Sequence, residues 1–137
     1  LNKRIRIIQK LCDELGIENV NAVHGRAEEL GRKKHLRESF DLCVSRAVAN
    51  MSTLSEYCLP FVKAGGEFIS MKGPDVEEEV NEAKKAIKVL GGEIKDIKKI
   101  EIPGTDIVHS LIFIEKVKPT PSKYPRKAGK AKKEPIM

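Results

Sequence analysis

The chain has 137 residues, 40% hydrophobic and 34% charged, with a formal net charge of +6 at pH 7. This is enough for one globular domain with a core, and no apolar run approaches the length of a membrane span. The sequence shows no secretory signal, and its three cysteines and three histidines have no metal-type spacing, so we expect a cytoplasmic protein without a metal or a disulfide framework.

The first predicted element is an amphipathic helix that ends near Gly16, a common helix-stopping residue. Its apolar residues recur at helical spacing at Leu1, Ile5, Ile8, Leu11, Cys12 and Leu15. The pattern begins without a helix cap, which suggests that the sequence is part of a longer one.

Residues 19–23 alternate between polar and apolar side chains, which predicts a short strand. A turn and a helix start follow, with Glu28 and Glu29 in the first turn. The carboxylates suit the positive end of the helix dipole. Alternatively, one of these carboxylates lies at a strand end and accepts hydrogen bonds from a nucleotide. The spacing alone favours the interpretation as acidic residues at a helix start.

Residues 40–74 form the central predicted unit, a strand, a helix and a second strand. The apolar run at 40–44 is typical of a buried parallel strand. Thr53 and Glu56 match a capping box, which predicts a helix from about Ser52. The glycine pair 65–66 is expected to end that helix, and residues 67–71 predict the next strand.

Both predicted strands end in polar residues, the first at Ser45 and Arg46 and the second at Lys72. Strands joined by a helix crossover are parallel and right-handed, so both ends should meet at one edge of the sheet. Ligands of open α/β sheets bind at that carboxyl edge. Arg46 and Lys72 are therefore the first candidate functional residues.

A further long helix is predicted over residues 76–90, with glutamates in its first half and lysines in its second. We interpret these charges as a solvated face without a catalytic role. Two strands follow, at 93–102 and 110–117, separated by a turn but by no helix, which predicts an antiparallel pair at the end of the sheet.

The last 20 residues carry the whole excess of positive charge. Residues 1–117 contain 19 basic and 19 acidic residues, whereas residues 118–137 contain seven basic and one acidic. Such a concentration suggests a polyanion partner such as RNA, on which Tyr124 could stack while Lys123, Arg126 and Lys127 meet phosphates. A solvated, disordered tail is an equally good interpretation of the composition.

Several segments resemble the RsmG/GidB family: HGRAEEL, SRAVAN, MKGP and KYPRKAG. The resemblance covers essentially the whole chain. It implies methyltransferases that use S-adenosyl-L-methionine to modify ring nitrogen N(7) of a guanine in 16S rRNA of the small ribosomal subunit.

The implied fold is an α/β, Rossmann-like class I methyltransferase sheet with parallel strands and a C-terminal antiparallel hairpin. The sequence lacks the family's Gly-rich cofactor loop. We therefore expect residues 1–117 to be the C-terminal portion of the methyltransferase domain, and residues 118–137 to be a basic, proline-containing tail. The incomplete sheet would expose strand edges, through which a homodimer could form.

The resemblance also implies roles for individual residues. Arg46 and Lys72 would be catalytic, and Ala27, Glu28 and Arg46 would bind the cofactor. The RNA contacts would be Arg26, Lys72, Tyr124, Arg126 and Lys127. The alternative for Arg26 is a surface salt bridge with Glu29, and for Lys72 a solvated strand end.

Two other functions remain open at this stage. The first is a non-catalytic RNA-binding or assembly module that keeps the fold without the chemistry. The second is a nicotinamide-dependent Rossmann enzyme, which needs a Gly-rich loop and is supported only by analogy of fold.

Overall fold

The structure is a computed structural model that describes residues 2–46 and 49–137. Four strands form one sheet in the order β1-β2-β4-β3: β1 (Phe40–Arg46), β2 (Val62–Lys72), β3 (Gly92–Glu101) and β4 (Val108–Lys116). The helices are α1 (Asn2–Glu14), α2 (Ala27–Leu30), α3 (Met51–Cys58), α4 (Glu77–Val89) and α5 (Lys130–Lys133). A 3₁₀ turn, Leu59–Phe61, joins α3 to β2.

The sheet combines parallel and antiparallel pairing, as the sequence predicts. β1 pairs with β2 in parallel, while β4 is antiparallel to both β2 and β3. The predicted hairpin is therefore confirmed, with β4 lying between β2 and β3.

The core lies on one face of the sheet, beneath α3 and α4. Alternate residues of β2 and β4 point into it, among them Phe68, Ile112 and Ile114, none of which has measurable exposure. α4 contributes the apolar stripe that its periodicity predicts, including Val80, Ala83 and Ile87. The alternation follows directly from the two-residue period of a strand.

A lysine lies inside this core. The ammonium of Lys116 is fully buried, and it donates hydrogen bonds to the carbonyl oxygens of Leu59 and Val62, each over 2.7 Å. Burial lowers the pKa of Lys116, and the Glu38 carboxylate 3.2 Å away opposes that shift. The contacts fasten the last strand to the 3₁₀ turn and to the start of β2.

The segment from α3 to β2 differs from the prediction. Asn50 caps α3 by accepting a hydrogen bond from the Thr53 amide over 3.0 Å, so the capping box expected at Thr53 and Glu56 is wrong. The helix ends at Cys58 and not at the glycine pair, because Pro60 follows at once and favours the 3₁₀ turn. Both glycines belong to β2.

Gly66 has a structural reason for its place in that strand. A Cβ there would lie 2.7 Å from the Asp41 carbonyl oxygen and 2.8 Å from the Val62 side chain. Only glycine allows β2 to approach β1 this closely at the point where their register shifts.

The strand predicted at residues 19–23 is absent, and that prediction is wrong. The segment has no strand beside it, and the Gln9 side chain bonds part of its backbone instead. Gln9 accepts from the Ala22 amide over 3.0 Å and donates to the Val20 carbonyl over 3.3 Å. A strand requires a ladder partner, and alternation of side chains does not supply one.

The prediction that β1 is buried is also wrong. β1 is the edge strand of the sheet, and Phe40, Leu42 and Val44 are 43%, 51% and 66% exposed. α1 forms as predicted and ends at Glu14, two residues before Gly16, which has a left-handed conformation, but none of its described residues is buried. Leu1, part of its predicted stripe, lies outside the described residues.

Candidate functional site

The carboxyl ends of β1 and β2 meet at one edge of the sheet. In the parallel pair, Arg46 is the register partner of Met71, the residue before Lys72. Arg46 and Lys72 therefore lie at the same edge, as their positions after parallel strands predict. The two side chains nevertheless have different surroundings.

Lys72 is buried and paired within the protein. Its ammonium lies 2.8 Å from a Glu79 carboxylate oxygen and donates to the carbonyl of Ala49, and the residue is only 8% exposed. The alternative of a solvated strand end is therefore wrong. Because Ala49 directly precedes the cap of α3, Lys72 fixes the segment that leads from β1 into that helix.

Glu79 is a residue that sequence reasoning missed. It lies on α4, whose glutamates we interpreted as a solvated face. The side chain is 33% exposed and neutralises the Lys72 ammonium. No local spacing signals this contact, because it depends on how α4 packs over the sheet.

Arg46 is the exposed cation of this edge. Among the residues that the structure describes, no carboxylate lies within 4.0 Å of its guanidinium. Ala47 and Val48, in the centre of the SRAVAN segment, are outside the described residues. Its planar set of donors is thus available to an anion or a base edge.

Glu28 lies buried at the start of α2, with 3% exposure. One of its oxygens accepts from the Gly129 amide over 2.9 Å and from Arg26 over 3.1 Å. Burial would raise the pKa of Glu28, but the hydrogen bonds from Gly129, its own amide and Arg26 hold it below its ordinary value. The salt bridge expected between Arg26 and Glu29 is therefore formed with Glu28 instead.

A cavity of about 610 Å³ lies beside this loop, within the range of roughly 300–1,000 Å³ that is typical of small-molecule sites. It is lined by Arg4, Ile5, Ile8, Val23, His24, Gly25, Arg26 and Glu29. Ala27 and Glu28 do not line it, and the Glu28 carboxylate is directed to the tail. The described residues thus fit the adenosine of a methyl donor only in part.

The tail packs onto the domain, so the alternative of a solvated, disordered tail is wrong. Tyr124 is 9% exposed and belongs to the core cluster. Arg126 binds the fully buried Glu56 carboxylate through Nη2 over 2.7 Å and through its own amide over 2.8 Å. Lys127 is exposed.

These contacts change what the tail residues can do as they stand. The Tyr124 ring has its surface against the core and under Lys123 and Arg126, which leaves little of it for a base. The Arg126 guanidinium is occupied by Glu56 and by the Glu134 carbonyl. Of the three predicted tail contacts with RNA, Lys127 is the one whose charge faces solvent.

Within the described ranges 2–46 and 49–137, no group of three or more histidine, cysteine, aspartate or glutamate side chains is arranged to hold a metal ion. The same ranges contain no helix with the length and apolar character needed to span a bilayer.

Known proteins similar to this chain fall into two groups. Curated relatives named Ribosomal RNA small subunit methyltransferase G are 53% identical in Clostridium tetani, 52% in Clostridium perfringens and 54% in Alkaliphilus metalliredigens, each over 99% of this chain. The chain spans 57% of the length of each of these relatives.

The second group consists of solved structures and concerns the fold. TYW2 of M. jannaschii in complex with AdoMet is 14% identical, with a TM-score of 0.58 over 82% of this chain and 53% of that one. A SAM-dependent methyltransferase from Methanosarcina mazei is 12% identical, with a TM-score of 0.56 over 85% of this chain and 79% of that one. The α/β fold is therefore Rossmann-like, as the resemblance implies.

The model of the GidB family, described as rRNA small subunit methyltransferase G, matches residues 1–108. Because the match extends over most of the sequence and agrees with relatives more than 50% identical, the chain belongs to the GidB family.

Proposed function

We propose that this protein transfers a methyl group from S-adenosyl-L-methionine to ring nitrogen N(7) of a guanine in 16S rRNA of the small ribosomal subunit, in the cytoplasm. The observation that carries the proposal is its identity of more than 50%, over 99% of its length, to relatives named as small subunit rRNA methyltransferases. The exposed Arg46 at the carboxyl edge supports it.

The chemistry needs little from the protein except positioning. Guanine N(7) has a lone pair in the plane of its ring and carries no proton at neutral pH, so no general base has to uncover it. S-adenosyl-L-methionine, when bound, supplies an electrophilic methyl group on a sulfonium. Catalysis then depends on aligning the base with that methyl group and excluding water.

The residues of the carboxyl edge have different roles in this positioning. Arg46 binds an RNA phosphate or the guanine O6 acceptor, which its fork of donors suits. Lys72 is a positioning residue that fixes the segment after Arg46 through the Ala49 carbonyl. Arg26 and Lys127, both exposed, meet phosphates.

The test is methyl transfer from radiolabelled S-adenosyl-L-methionine to small ribosomal subunits or 16S rRNA. It uses a version of the protein with the full length of its relatives and compares Arg46→Ala with Lys63→Ala. Lys63 lies at the opposite end of β2, and its loss changes the net charge equally. We expect Arg46→Ala to lower kcat/KM on the order of 10- to 100-fold, the range of a charge-assisted hydrogen bond.

Lys63→Ala should retain the activity of the unmodified protein. Equal activity of Arg46→Ala and the unmodified protein would refute the role of Arg46. A methyl group found at a position other than guanine N(7), by mass spectrometry of the digested RNA, would refute the site of modification.

The non-catalytic RNA-binding module remains the second candidate, because the described residues fit the adenosine only in part. Calorimetric titration with S-adenosyl-L-methionine separates the two. A module that binds RNA but takes up no S-adenosyl-L-methionine, at either length, would replace the enzymatic proposal.

A further inference from the structure

The tail is attached to the domain at two separate places. Its first part, around Thr120 and Tyr124, is held by Arg37, which donates to the Tyr124 carbonyl over 2.6 Å, and by Glu38, which accepts from the Thr120 amide. Its second part, residues 126–131, is held by side chains of α2 and α3. The second attachment can therefore change while the first remains.

Two buried carboxylates make the second attachment. Glu56, in the middle of α3, is fully buried and receives Arg126 through Nε over 3.1 Å and Nη2 over 2.7 Å. Glu28 receives the Gly129 amide over 2.9 Å, and Thr53 donates to the Ala131 carbonyl over 3.1 Å. A buried carboxylate requires such partners, and among the described residues the hydrogen-bond donors to Glu56 all belong to Arg126.

Residues 126–134 carry most of the excess charge of the chain, with five basic residues and one acidic, a net +4 of the total +6. Ala131, in the middle of the short helix α5, is fully buried against the domain, and exposed lysines surround it. Lys130 pairs with Glu134 over 2.8 Å. Among the described residues, no carboxylate lies within 4.0 Å of the other three lysines, Lys127, Lys132 and Lys133.

The segment also ends at the candidate site. Pro135 and Met137 line a cavity of about 310 Å³ together with residues 50–52 at the start of α3 and Glu79, the partner of Lys72. The C-terminal end of the tail therefore lies at the start of α3, beside the Glu79 that pairs with Lys72 at the carboxyl edge.

We propose that Glu56 is a positioning residue for RNA binding: through Arg126 it holds Lys127, Lys132 and Lys133 in a fixed array that contacts RNA phosphates beside the candidate site. The proposal rests on the proposed function, in that RNA is the anion. A fixed array binds more tightly than the same charges on a loose tail, because ordering of the tail no longer opposes binding.

If Glu56 is a positioning residue, its replacement should change RNA affinity in the opposite direction from the one that net charge alone predicts. Glu56→Gln removes a negative charge from a protein that binds a polyanion, so electrostatics alone would strengthen binding. If Glu56 acts by holding Arg126, the variant weakens binding although its net charge is more positive. Glu93→Gln is the matched control, since Glu93 is an exposed glutamate at the start of β3 and its ion pair is with Lys95 rather than with a residue of the tail.

The experiment measures fluorescence anisotropy of a labelled 16S rRNA transcript at several KCl concentrations. We expect Glu56→Gln to raise the Kd about tenfold, and to reduce the slope of log Kd against log[KCl] as phosphate contacts are lost. Glu93→Gln should bind as tightly as the unmodified protein or slightly more tightly. Trypsin should cleave after Arg126 and Lys127 faster in Glu56→Gln, which reports release of the tail without reference to RNA.

A second variant guards against a general loss of folding. Arg126→Lys keeps every charge but cannot form the forked pair with Glu56. It should weaken RNA binding to a similar extent, and the double variant should lose no more than either single variant, because the two residues act as one unit. If Glu56→Gln does not fold, Arg126→Lys decides the outcome.

The triple variant Lys127→Gln/Lys132→Gln/Lys133→Gln separates this proposal from the proposed function. If the triple variant binds RNA as well as the unmodified protein, the tail is not an RNA surface. If it binds weakly but Glu56→Gln and Arg126→Lys bind normally, the tail contacts RNA without being held by Glu56. The latter result overturns the positioning role and leaves the proposed function intact.

Discussion

The two sides of the sheet differ in what covers their apolar residues. Ile112 and Ile114 of β4 lie between two strands and beneath the helices, and they are fully buried. Leu42 and Val44 of β1 are as apolar, yet they are more than half exposed, because they pair with Glu67 and Ile69 and so point to the face of the sheet opposite the core. The difference shows that an apolar pattern states what a strand can bury, whereas the neighbouring elements decide what it does bury.

The apolar residues of the first helix are exposed as well. Its apolar stripe is as regular as that of α4, but Ile8 is 47% exposed and Leu11 is 51% exposed. In α4 the corresponding stripe, with Ile87 at 2% exposure, packs over the sheet. The exposed and the buried positions should therefore respond very differently to the same substitution.

The largest expected effect compares isoleucine with isoleucine. Ile112→Ala should lower the free energy of unfolding by about 2–5 kcal/mol, because it opens a cavity in a closely packed core. Ile8→Ala should change it by no more than about 0.5 kcal/mol, since the side chain is half exposed and alanine favours a helix. Urea unfolding followed by circular dichroism measures both.

An equal cost at the two positions would break the comparison. It would mean that a second surface covers α1 in solution. Sedimentation velocity then tests the predicted homodimer, which the exposed edge of β1 could form.

A smaller effect is expected from two lysines of the same strand. Lys72→Ala should lower the free energy of unfolding by about 1–3 kcal/mol, because it leaves the Ala49 carbonyl and Glu79 without their buried partner. Lys63→Ala should cost at most about 1 kcal/mol, as Lys63 and its partner Asp41 are both largely exposed.

Thermal unfolding of the two lysine variants at two salt concentrations sharpens this contrast. Salt should weaken the Lys63 pair and leave the Lys72 contacts nearly unchanged. If Lys72→Ala is as stable as the unmodified protein, the Ala49 segment is not held by Lys72.

The smallest effect concerns pH and Glu28. The pKa of Glu28 in the folded protein lies below its ordinary value of 4.5, so its contribution is present above that pH and is lost as pH falls through the folded pKa. Glu28→Gln should therefore cost about 0.5–1.5 kcal/mol at pH 7 and progressively less below about pH 4.5. A cost that does not change between pH 7 and pH 3.5 would contradict the assignment.

Sequence patterns predicted the elements whose signals are local. The periodicity of α4 and the turn between β3 and β4 were sufficient, because each element carries its own signal over many residues. The patterns failed at residues 19–23, where alternation was present but no ladder partner was. They also placed the end of the helix before β2 too late, at the glycine pair, because Pro60 already ends the helix in a 3₁₀ turn.

The candidate site was predicted in outline and missed in detail. Topology was enough to bring Arg46 and Lys72 to one edge, because parallel strands end together. The pairing of Glu56 with Arg126 joins residues 70 positions apart, and that of Glu28 with Gly129 joins residues 101 positions apart. Such contacts leave no spacing in the sequence, because they arise only when the tail folds back over α2 and α3.

The internal lysine of the last strand has a practical consequence. Amine-reactive reagents acylate lysines that meet solvent, whereas Lys116 is enclosed between the 3₁₀ turn and the sheet. A reagent reaches it only when that whole junction separates. The extent of acylation at Lys116 can be measured by mass spectrometry relative to that of the exposed lysines in the same molecule. It therefore reports how often the core opens in a protein that carries no substitution.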